Sequence, residues 1–242
     1  MKQNSFQKPC LLLIIRSLLF LTFQALIALV ILSLGSSTAW TVSAAWWPFA
    51  IIFTDLVCLV LLIRFYRQEG KRFWDVFRIE RRFVKQDLLF LLGFLVMGGP
   101  LGYLPNILSA QWLFGDPQIA LDLLVRPLPA WAAVFSFVFF PLLQGLVEIP
   151  TYMLYVLPRL ESQGVRPWLA VALVGFFLSA QHIFAPFLPD SRFITYRLVM
   201  FLPLAILIAL VMRGRPRMML YIAVIHTLMD MSVAVMFLMN MQ

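Results

Sequence analysis

The sequence predicts an all-α, polytopic membrane protein with about seven transmembrane helices. Of its 242 residues, 62% are hydrophobic and only 12% are charged, and the mean hydropathy is +0.93. Soluble domains carry about 25% charged residues, so this composition indicates a chain surrounded by lipid. It excludes a water-soluble enzyme, a disordered chain and a nucleic-acid-binding module, although the formal net charge is +8.

Seven apolar windows carry this prediction, because a helix needs about 20 residues to cross a hydrocarbon core. They lie near residues 11–34, 45–63, 88–106, 129–157, 167–187, 198–212 and 218–239. The 198–212 window is short, and residues 99–113 are a candidate for a break into a re-entrant piece. Little chain is left for a soluble domain, so we expect a single membrane domain over residues 1–242.

The first window is expected to stay in the mature protein as a transmembrane helix. Positive charges precede an apolar run, as in a signal peptide, but Arg16 interrupts that run. Apolar character then continues to Leu34 without a clear small-residue cleavage site. A retained span explains these features better than a cleaved signal peptide does.

Most of the chain's charge lies between the second and third windows, in residues 64–87. Arg and Lys alternate there with apolar side chains, namely Phe73, Trp74, Phe77, Ile79 and Phe83. This pattern predicts an amphipathic helix that lies on the cytoplasmic surface and contacts membrane lipids. No nucleic-acid partner is expected for it.

The distribution of Lys and Arg predicts the orientation in the membrane. With a cytoplasmic N-terminus, most of the 19 Lys and Arg residues fall on the cytoplasmic side, which positive charge favours. An odd number of crossings then places the C-terminus on the opposite side. Residues 1–128 hold the N-terminal spans and the basic amphipathic loop, and residues 129–242 hold the remaining helices.

Ionisable side chains inside the apolar windows are the main lead to function, because each costs a few kcal/mol in hydrocarbon. They are Arg16, Asp55, Glu148, His182, His226 and Asp230. Both histidines of the chain belong to this set.

Four of these side chains are expected at similar depth. At about 1.5 Å per helical residue, Glu148 lies about 14 Å from the cytoplasmic end of its span, and His226 and Asp230 lie about 12 and 18 Å deep. His182 lies about 22 Å deep by the same estimate. His226 and Asp230 are four residues apart and share one helix face. We expect the four to meet around a small water-filled cavity that opens toward the cytoplasmic half.

The other two side chains are expected to be structural. Arg16 is near enough to the cytoplasmic end of its span to extend its guanidinium to the interface. Asp55 lies near mid-depth in the second window and is expected to pair with Arg16 or a polar neighbour. For each histidine, hydrogen-bonded packing between helices is the alternative to a catalytic role.

Three segments carry a resemblance to a known family. They read EIPTYM at 148–153, followed by YVLPRLE at 155–161, then LSAQH at 178–182 and HTLMD at 226–230. In order and spacing they resemble EExxxR, FxxxH and HxxxN/D. These are signatures of the CAAX protease and bacteriocin-processing (CPBP) family, which includes the type II CAAX prenyl endopeptidases. The resemblance covers roughly residues 130–240, the part that would form the catalytic helices.

The chain departs from the family's pattern at three positions. Ile149 stands in place of the second Glu, Met153 in place of the Arg and Leu178 in place of the Phe. In the family that Glu and Arg are a charged pair, so the loss of both leaves no orphan charge in the membrane. The segment resembles a subgroup that reads EIPTY or ELPTY.

The resemblance implies an intramembrane glutamic endopeptidase that hydrolyses a peptide bond without a metal. Glu148 would act as general base, and His182 would hold and polarise the water. His226 would donate a hydrogen bond to the oxyanion. Asp230 would orient His226, or donate a hydrogen bond itself when protonated.

Two further side chains are expected beside Glu148, and no cofactor is expected. Gln144 and Tyr152 lie one turn on either side of Glu148 and are candidates to support it. Two histidines and a carboxylate are also a workable zinc set, which is the rival chemistry, although the sequence contains no HExxH.

The resemblance also implies a membrane-associated or lipidated polypeptide as the substrate and a bacterial cytoplasmic (inner) membrane as the location. Two other functions remain open. One is a catalytically silent family member that serves as a membrane scaffold or immunity-type protein. The other is a proton-coupled transporter, since buried Glu, His and Asp side chains also relay protons, although no repeated half is visible in the sequence.

Overall fold

The computed structural model describes residues 7–241, and all regular structure within them is helical. In this part of the chain, seven helical segments are long and apolar enough to cross a membrane. They are Gln7–Ser33, Ala39–Gln68, Phe73–Phe114, Ala130–Ser162, Pro167–Phe184, Ser191–Gly214 and Pro216–Met239. The predicted all-α, polytopic membrane fold is confirmed.

Turns and prolines divide these segments into shorter helices. The α-helices are α1 (Gln7–Ser33), α2 (Ala39–Ser43), α3 (Trp47–Gln68), α4 (Val84–Phe114), α5 (Pro117–Leu124), α6 (Ala130–Ile149), α7 (Leu157–Ser162), α8 (Pro167–Ala180), α9 (Ser191–Val199), α10 (Leu202–Gly214) and α11 (Met219–Met239). Several begin with a proline in the first turn, where the missing N–H would have no helical partner anyway.

Helix α6 lies at the centre of the bundle. It packs against α11 on one side and α3 on the other, and α1 packs in turn against α3. The segment that contains α6 is 61% buried over its apolar window, whereas the segment that contains α4 is only 11% buried. Side chains on α6 therefore project into protein, and most of α4 is left to lipid.

The close contact between α6 and α11 depends on Gly145. A Cβ at this position would lie 1.9 Å from Oγ1 of Thr227 and 3.0 Å from the backbone oxygen of Ala223. Only glycine lets the two helix backbones approach this closely. Because Glu148 is one turn further along α6, the same contact places its carboxylate beside α11.

The basic segment after α3 does not form the single amphipathic helix that its sequence predicts. Gly70, with φ of 70°, ends the second span, and two short 3₁₀ turns follow at Phe73–Phe77 and Arg81–Phe83. Phe73 is 2% exposed and packs edge-on against Tyr66. Its ring is therefore buried in protein, which fixes the turns and prevents a continuous lipid-facing stripe.

The third span does not break into a re-entrant piece. Helix α4 continues through Pro100 and Pro105 as far as Phe114, and Gly115 then ends it with φ of 78°. Transmembrane helices tolerate such prolines because neighbouring groups pair with the backbone that each proline leaves unpaired.

A seven-residue π-helix, which the sequence pattern does not predict, follows α6 at Pro150–Val156. Pro150 has no N–H to donate to the preceding turn, so the α-helical hydrogen bonds cannot continue through it. The Thr151 hydroxyl donates to the Val147 carbonyl at 2.6 Å, which adds a side-chain hydrogen bond to the same turn. π-Turns inside helices are frequent beside functional sites, and this one begins two residues after Glu148.

Candidate functional site

Helix α6 supplies a carboxylate and an amide on one buried face. Glu148 is 2% exposed and Gln144, one turn earlier, is 3% exposed. The amide Nε2 of Gln144 donates to Oε2 of Glu148 at 2.5 Å. Gln144 therefore lies beside Glu148 as predicted, and its amide hydrogen bond fixes one of the two carboxylate oxygens.

Helix α11 brings His226 and Asp230 to the same carboxylate. Nε2 of His226 lies 3.6 Å from Oε1 of Glu148 and 3.3 Å from Oδ2 of Asp230. Because both neighbours of this nitrogen are acceptors, the arrangement favours the tautomer that carries a proton on Nε2. That proton is available for donation in the space between the two carboxylates.

His182 reaches the site from a 3₁₀ turn, Gln181–Phe184, that follows α8. Its Nε2 lies 3.9 Å from Oε1 of Glu148. Its Nδ1 lies 2.9 Å from the Leu178 carbonyl and 3.2 Å from the Ser179 carbonyl. Since a carbonyl only accepts hydrogen bonds, Nδ1 carries the proton and Nε2 directs a lone pair into the site.

Arg197 of α9 fixes the turn that carries His182. This buried guanidinium donates to the His182 carbonyl at 3.0 Å and to the Ala185 carbonyl at 2.7 Å. The ring of Phe201 lies over the imidazole, with ring centroids 4.0 Å apart. The position of His182 is thus set by contacts on both its backbone and its ring.

Arg16 lies inside the site, so the prediction that it extends to the membrane interface is wrong. It is fully buried and donates to Oδ1 of Asp55 at 2.5 Å, to Oε1 of Gln144 at 2.6 Å and to Oε1 of Gln181 at 2.7 Å. A guanidinium nitrogen also lies 3.5 Å from Oε2 of Glu148. Inside the bundle, one carboxylate and two amide oxygens take the place of the water and lipid headgroups that would solvate the guanidinium at the interface.

The predicted pairing of Asp55 with Arg16 is confirmed by the 2.5 Å contact. Asp55 is fully buried, so α3 contributes a charge to the site as well as apolar packing. Tyr152 lies at the rear of the site, where its hydroxyl is 3.3 Å from Oε1 of Gln181 and 3.5 Å from the Leu13 carbonyl. Its polar partner is therefore Gln181, not Glu148.

The two oxygens of Glu148 have different surroundings. Oε2 faces Gln144 and Arg16, whereas Oε1 faces the two imidazoles. The side chains on the imidazole face are partly accessible, at 14% for each histidine and 16% for Asp230. The more accessible side of the carboxylate is therefore the Oε1 side.

Several buried polar atoms at this site lack a hydrogen-bond partner among residues 7–241. They are Oδ2 of Asp55, Nε2 of Gln181, Nε2 of His226 and Oδ2 of Asp230. A buried polar atom without a partner costs about 1–3 kcal/mol, and ordered water commonly supplies the missing bond. Four such atoms on side chains of one contact network favour bound water near Glu148.

The donor types at the site include those that zinc takes, namely imidazole and carboxylate. Within the part of the chain that the structure describes, no group of three or more His, Cys, Asp or Glu side chains has an arrangement that could hold a metal ion.

Two of the residues that shape the site, Arg16 and Gln181, are not among those that the sequence places there. Gln181 directly precedes His182 in an apolar segment. Its amide does not ionise, so a search for ionisable side chains does not select it, although a polar side chain in such a segment is itself a signal. Arg16 is visible as an intramembrane charge, but its sequence depth indicates only the nearby interface.

No protein-family model matches the chain, and neither a curated protein nor a solved structure is significantly similar to it. Its function is therefore argued from the arrangement of these side chains.

Proposed function

We propose that the protein is an intramembrane endopeptidase that hydrolyses a peptide bond of a membrane-associated or lipidated polypeptide. One observation carries the proposal: Oε1 of Glu148 lies 3.6 Å and 3.9 Å from the Nε2 atoms of His226 and His182. These groups come from three separate elements inside an apolar bundle. Separations of 3.6–3.9 Å are too long for direct hydrogen bonds but short enough for a water molecule to bond both Oε1 and an imidazole nitrogen at ordinary length.

The surroundings of each group suit a role in hydrolysis. Nε2 of His182 accepts a hydrogen bond from the water, while Oε1 of Glu148 takes the water's second proton as general base. The water oxygen then bonds to the carbonyl carbon, and the resulting oxyanion accepts a hydrogen bond from Nε2 of His226. When the C–N bond breaks, Glu148 returns the proton to the departing amine.

Asp230 acts on this chemistry through His226. Its Oδ2 lies 3.3 Å from Nε2 of that imidazole, so the nearby carboxylate favours the tautomer that carries a proton on Nε2, and that proton stays available to the oxyanion. A preorganised donor costs no reorganisation at the moment of reaction.

The proposal extends to membership of the CPBP family, on the strength of the ordered EIPTYM, LSAQH and HTLMD segments. Ile149 and Met153, which replace the family's second Glu and its Arg, are each 1% exposed and belong to the main hydrophobic core. Apolar residues therefore have apolar surroundings at these two positions. The departures from the motif are consistent with an intact site.

The basic segments favour a cytoplasmic N-terminus, and the proposed location is a bacterial cytoplasmic (inner) membrane. Exposed Arg and Lys side chains are concentrated between α3 and α4 and around Arg213 and Arg217, as the positive-inside rule requires of cytoplasmic loops.

The proposal is tested by comparing membranes from cells that express the wild type, Glu148→Gln or His182→Ala. Mass spectrometry of polypeptide termini identifies cleavage even when the substrate is unknown. We expect new termini that appear with the wild type and disappear with either variant. A quenched-fluorescence peptide that spans a cleaved segment then gives kcat for protein reconstituted in vesicles, with a loss of about 100- to 10,000-fold in Glu148→Gln.

Glu161→Gln is the matched control, because Glu161 is a carboxylate paired with Arg213 at 2.5 Å and lies away from the histidines. It is expected to cleave as the wild type does. Identical termini in wild-type and Glu148→Gln membranes would contradict the peptidase and favour a scaffold. Proton-driven uptake of a solute without any cleavage would instead support a transporter.

A further inference from the structure

We propose that Arg16 and Asp55, contributed by α1 and α3, position Glu148 for hydrolysis through the side chain of Gln144. The inference rests on the proposed peptidase function and adds two positioning residues from the N-terminal part of the chain. That part lies outside the residues that carry the family resemblance.

A chain of side-chain contacts leads from Asp55 to the reactive carboxylate. Asp55 accepts from Arg16 at 2.5 Å, Arg16 donates to Oε1 of Gln144 at 2.6 Å, and Nε2 of Gln144 donates to Oε2 of Glu148 at 2.5 Å. All four side chains are at most 3% exposed. Solvent therefore does not screen these contacts.

Arg16 determines which end of the Gln144 amide faces Glu148. A guanidinium only donates hydrogen bonds, so Gln144 must present its oxygen to Arg16. Its NH₂ group then points to Glu148, where it holds Oε2 and leaves Oε1 toward the histidines. Without Arg16 the amide is free to turn over, and its oxygen would then face the carboxylate and repel it.

Arg16 also touches the second element of the site. It donates to Oε1 of Gln181 at 2.7 Å, and Gln181 is the neighbour of His182 in the same 3₁₀ turn. One planar group with several donors thus sets the distance between the segment that bears Glu148 and the segment that bears His182. The fork geometry of arginine suits this task, whereas a lysine ammonium is a point charge.

Asp55 keeps the guanidinium in place. A buried cation without a partner is strongly destabilising, and Ile149 and Met153 provide no charge on the neighbouring turns of α6 and the π-helix. Asp55, at 2.5 Å, therefore offsets most of the charge of Arg16, while Oε2 of Glu148 lies farther away at 3.5 Å and Oε1 stays turned toward the histidines. The counter-charge comes from another helix.

The purely structural alternative is an ion pair that only fastens α1 to α3. A partly buried ion pair in the same protein provides a control for that alternative. Arg217 donates to Asp87 at 2.8 Å, with Asp87 only 2% exposed. This pair joins the start of α4 to the segment before α11, away from the hydrogen bonds that hold Glu148.

The experiment measures kcat and KM for full-length protein in vesicles with the quenched-fluorescence peptide used to establish cleavage. The variants are Arg16→Gln/Asp55→Asn, Arg16→Lys and Gln144→Leu, with Arg217→Gln/Asp87→Asn as control. Rates are expressed per folded molecule, as judged by thermal unfolding. We expect the first double variant to lose about 100-fold in kcat, as a small misplacement of a reacting group does, with KM little changed.

Arg16→Lys keeps the charge beside Asp55 and is expected to recover part of the lost kcat. It also serves as the test if the double variant does not fold. Gln144→Leu leaves the Arg16–Asp55 ion pair intact. It is expected to lose kcat as well, because the amide hydrogen bond to Oε2 of Glu148 is lost. The control pair is expected to lower the unfolding temperature while kcat stays within twofold of the wild type, a difference of less than about 0.5 kcal/mol in activation free energy.

The outcomes separate the two proposals. If the wild type does not cleave, the proposed function fails and this inference fails with it. If the wild type cleaves and the folded Arg16 variants retain its kcat, the peptidase stands and the positioning role is overturned. Equal losses of kcat in the control pair and in the Arg16–Asp55 variants also overturn it, because a general loss of packing then explains both.

Discussion

At the residue scale, the different surroundings of the two oxygens of Glu148 suit the carboxylate to the proposed role of a general base. Oε2 is engaged by the Gln144 amide, while Oε1 faces His182 and His226 at 3.9 and 3.6 Å. A carboxylate held through one oxygen keeps the other in a defined direction. This is the requirement for a base that must meet a water molecule at a fixed point.

Asp230 gives a prediction at this scale. Asp230→Asn keeps an oxygen that can accept from Nε2 of His226, so kcat is expected to fall by about 10-fold, whereas Asp230→Leu removes the acceptor and costs about 100-fold or more. Both values are measured with the quenched peptide in vesicles. Equal activity of the Leu variant and the wild type would contradict the role of Asp230 in holding the imidazole.

The residue scale also shows what sequence reasoning could and could not find. Depth along a helix and the spacing of four residues predict that Glu148, His226 and Asp230 meet, because both quantities follow from helix geometry. The direction in which Arg16 points does not follow from its depth, since the interface and the bundle interior are both within reach of a long side chain. Only the partners Asp55 and Gln144 decide it.

At the element scale, the contact between α6 and α11 determines the geometry of the site. Gly145 permits it, because a Cβ there would lie 1.9 Å from Oγ1 of Thr227. Glu148 is on the same helix as Gly145, and His226 is the residue before Thr227. Separation of the two helices would therefore also separate the Glu148 carboxylate from the His226 imidazole.

Gly145→Ala tests this dependence. Overpacking is expected to cost about 1–3 kcal/mol of stability, seen as a lower unfolding temperature in detergent, together with a loss of kcat. Thr227→Ala in the same chain should relieve only part of the effect, since the Ala223 carbonyl would still lie 3.0 Å away. Gly93→Ala is the control, because its Cβ would meet nothing within 4 Å.

The π-helix at Pro150–Val156 and the 3₁₀ turns after α3 are the elements that the sequence did not reveal. Apolar periodicity predicts a helix at both places but does not distinguish its hydrogen-bond register. Pro150 supplies the local reason for the first. The burial of Phe73 against Tyr66, which depends on tertiary packing, supplies the reason for the second.

At the scale of the whole molecule, composition and the apolar windows were sufficient to predict a seven-helix membrane fold. Apolar windows follow directly from hydropathy because every membrane-spanning segment must be long and apolar. The seven predicted windows and the seven segments observed within residues 7–241 correspond in order. Their ends differ by several residues, since helices extend beyond the hydrocarbon where polar partners are available.

Glu69 and Arg159 are polar partners of this kind, and they meet just beyond the end of α3. The Arg159 guanidinium contacts both oxygens of Glu69 and stacks on the ring of Tyr155. Burial raises the pKa of Glu69, but the hydrogen bonds and charge of Arg159 outweigh it, so the pKa lies below its ordinary value of 4.5. The pair joins the end of the second span to α7, which follows the π-helix.

The effect of this pair on global stability depends on pH. A carboxyl whose pKa is lowered by folding stabilises the protein above its ordinary pKa, and that contribution is lost as the pH falls through the lowered value. We expect the unfolding temperature in detergent to fall below about pH 4.5, and to fall less in Glu69→Gln. Glu80→Gln, at the exposed pair with Arg82, is the control and should follow the wild type.

The connection of Arg16 with Asp55 has a consequence for biogenesis. A growing chain folds from its N-terminal end, so α1 and α3 enter the bilayer while Gln144 and Glu148 are still to be synthesised. The arginine therefore meets its aspartate first, within a hairpin whose two mid-membrane charges already offset each other. Ribosome-stalled chains that end shortly after α3 should consequently insert stably, and the later helices would assemble around a charge that has been compensated in advance.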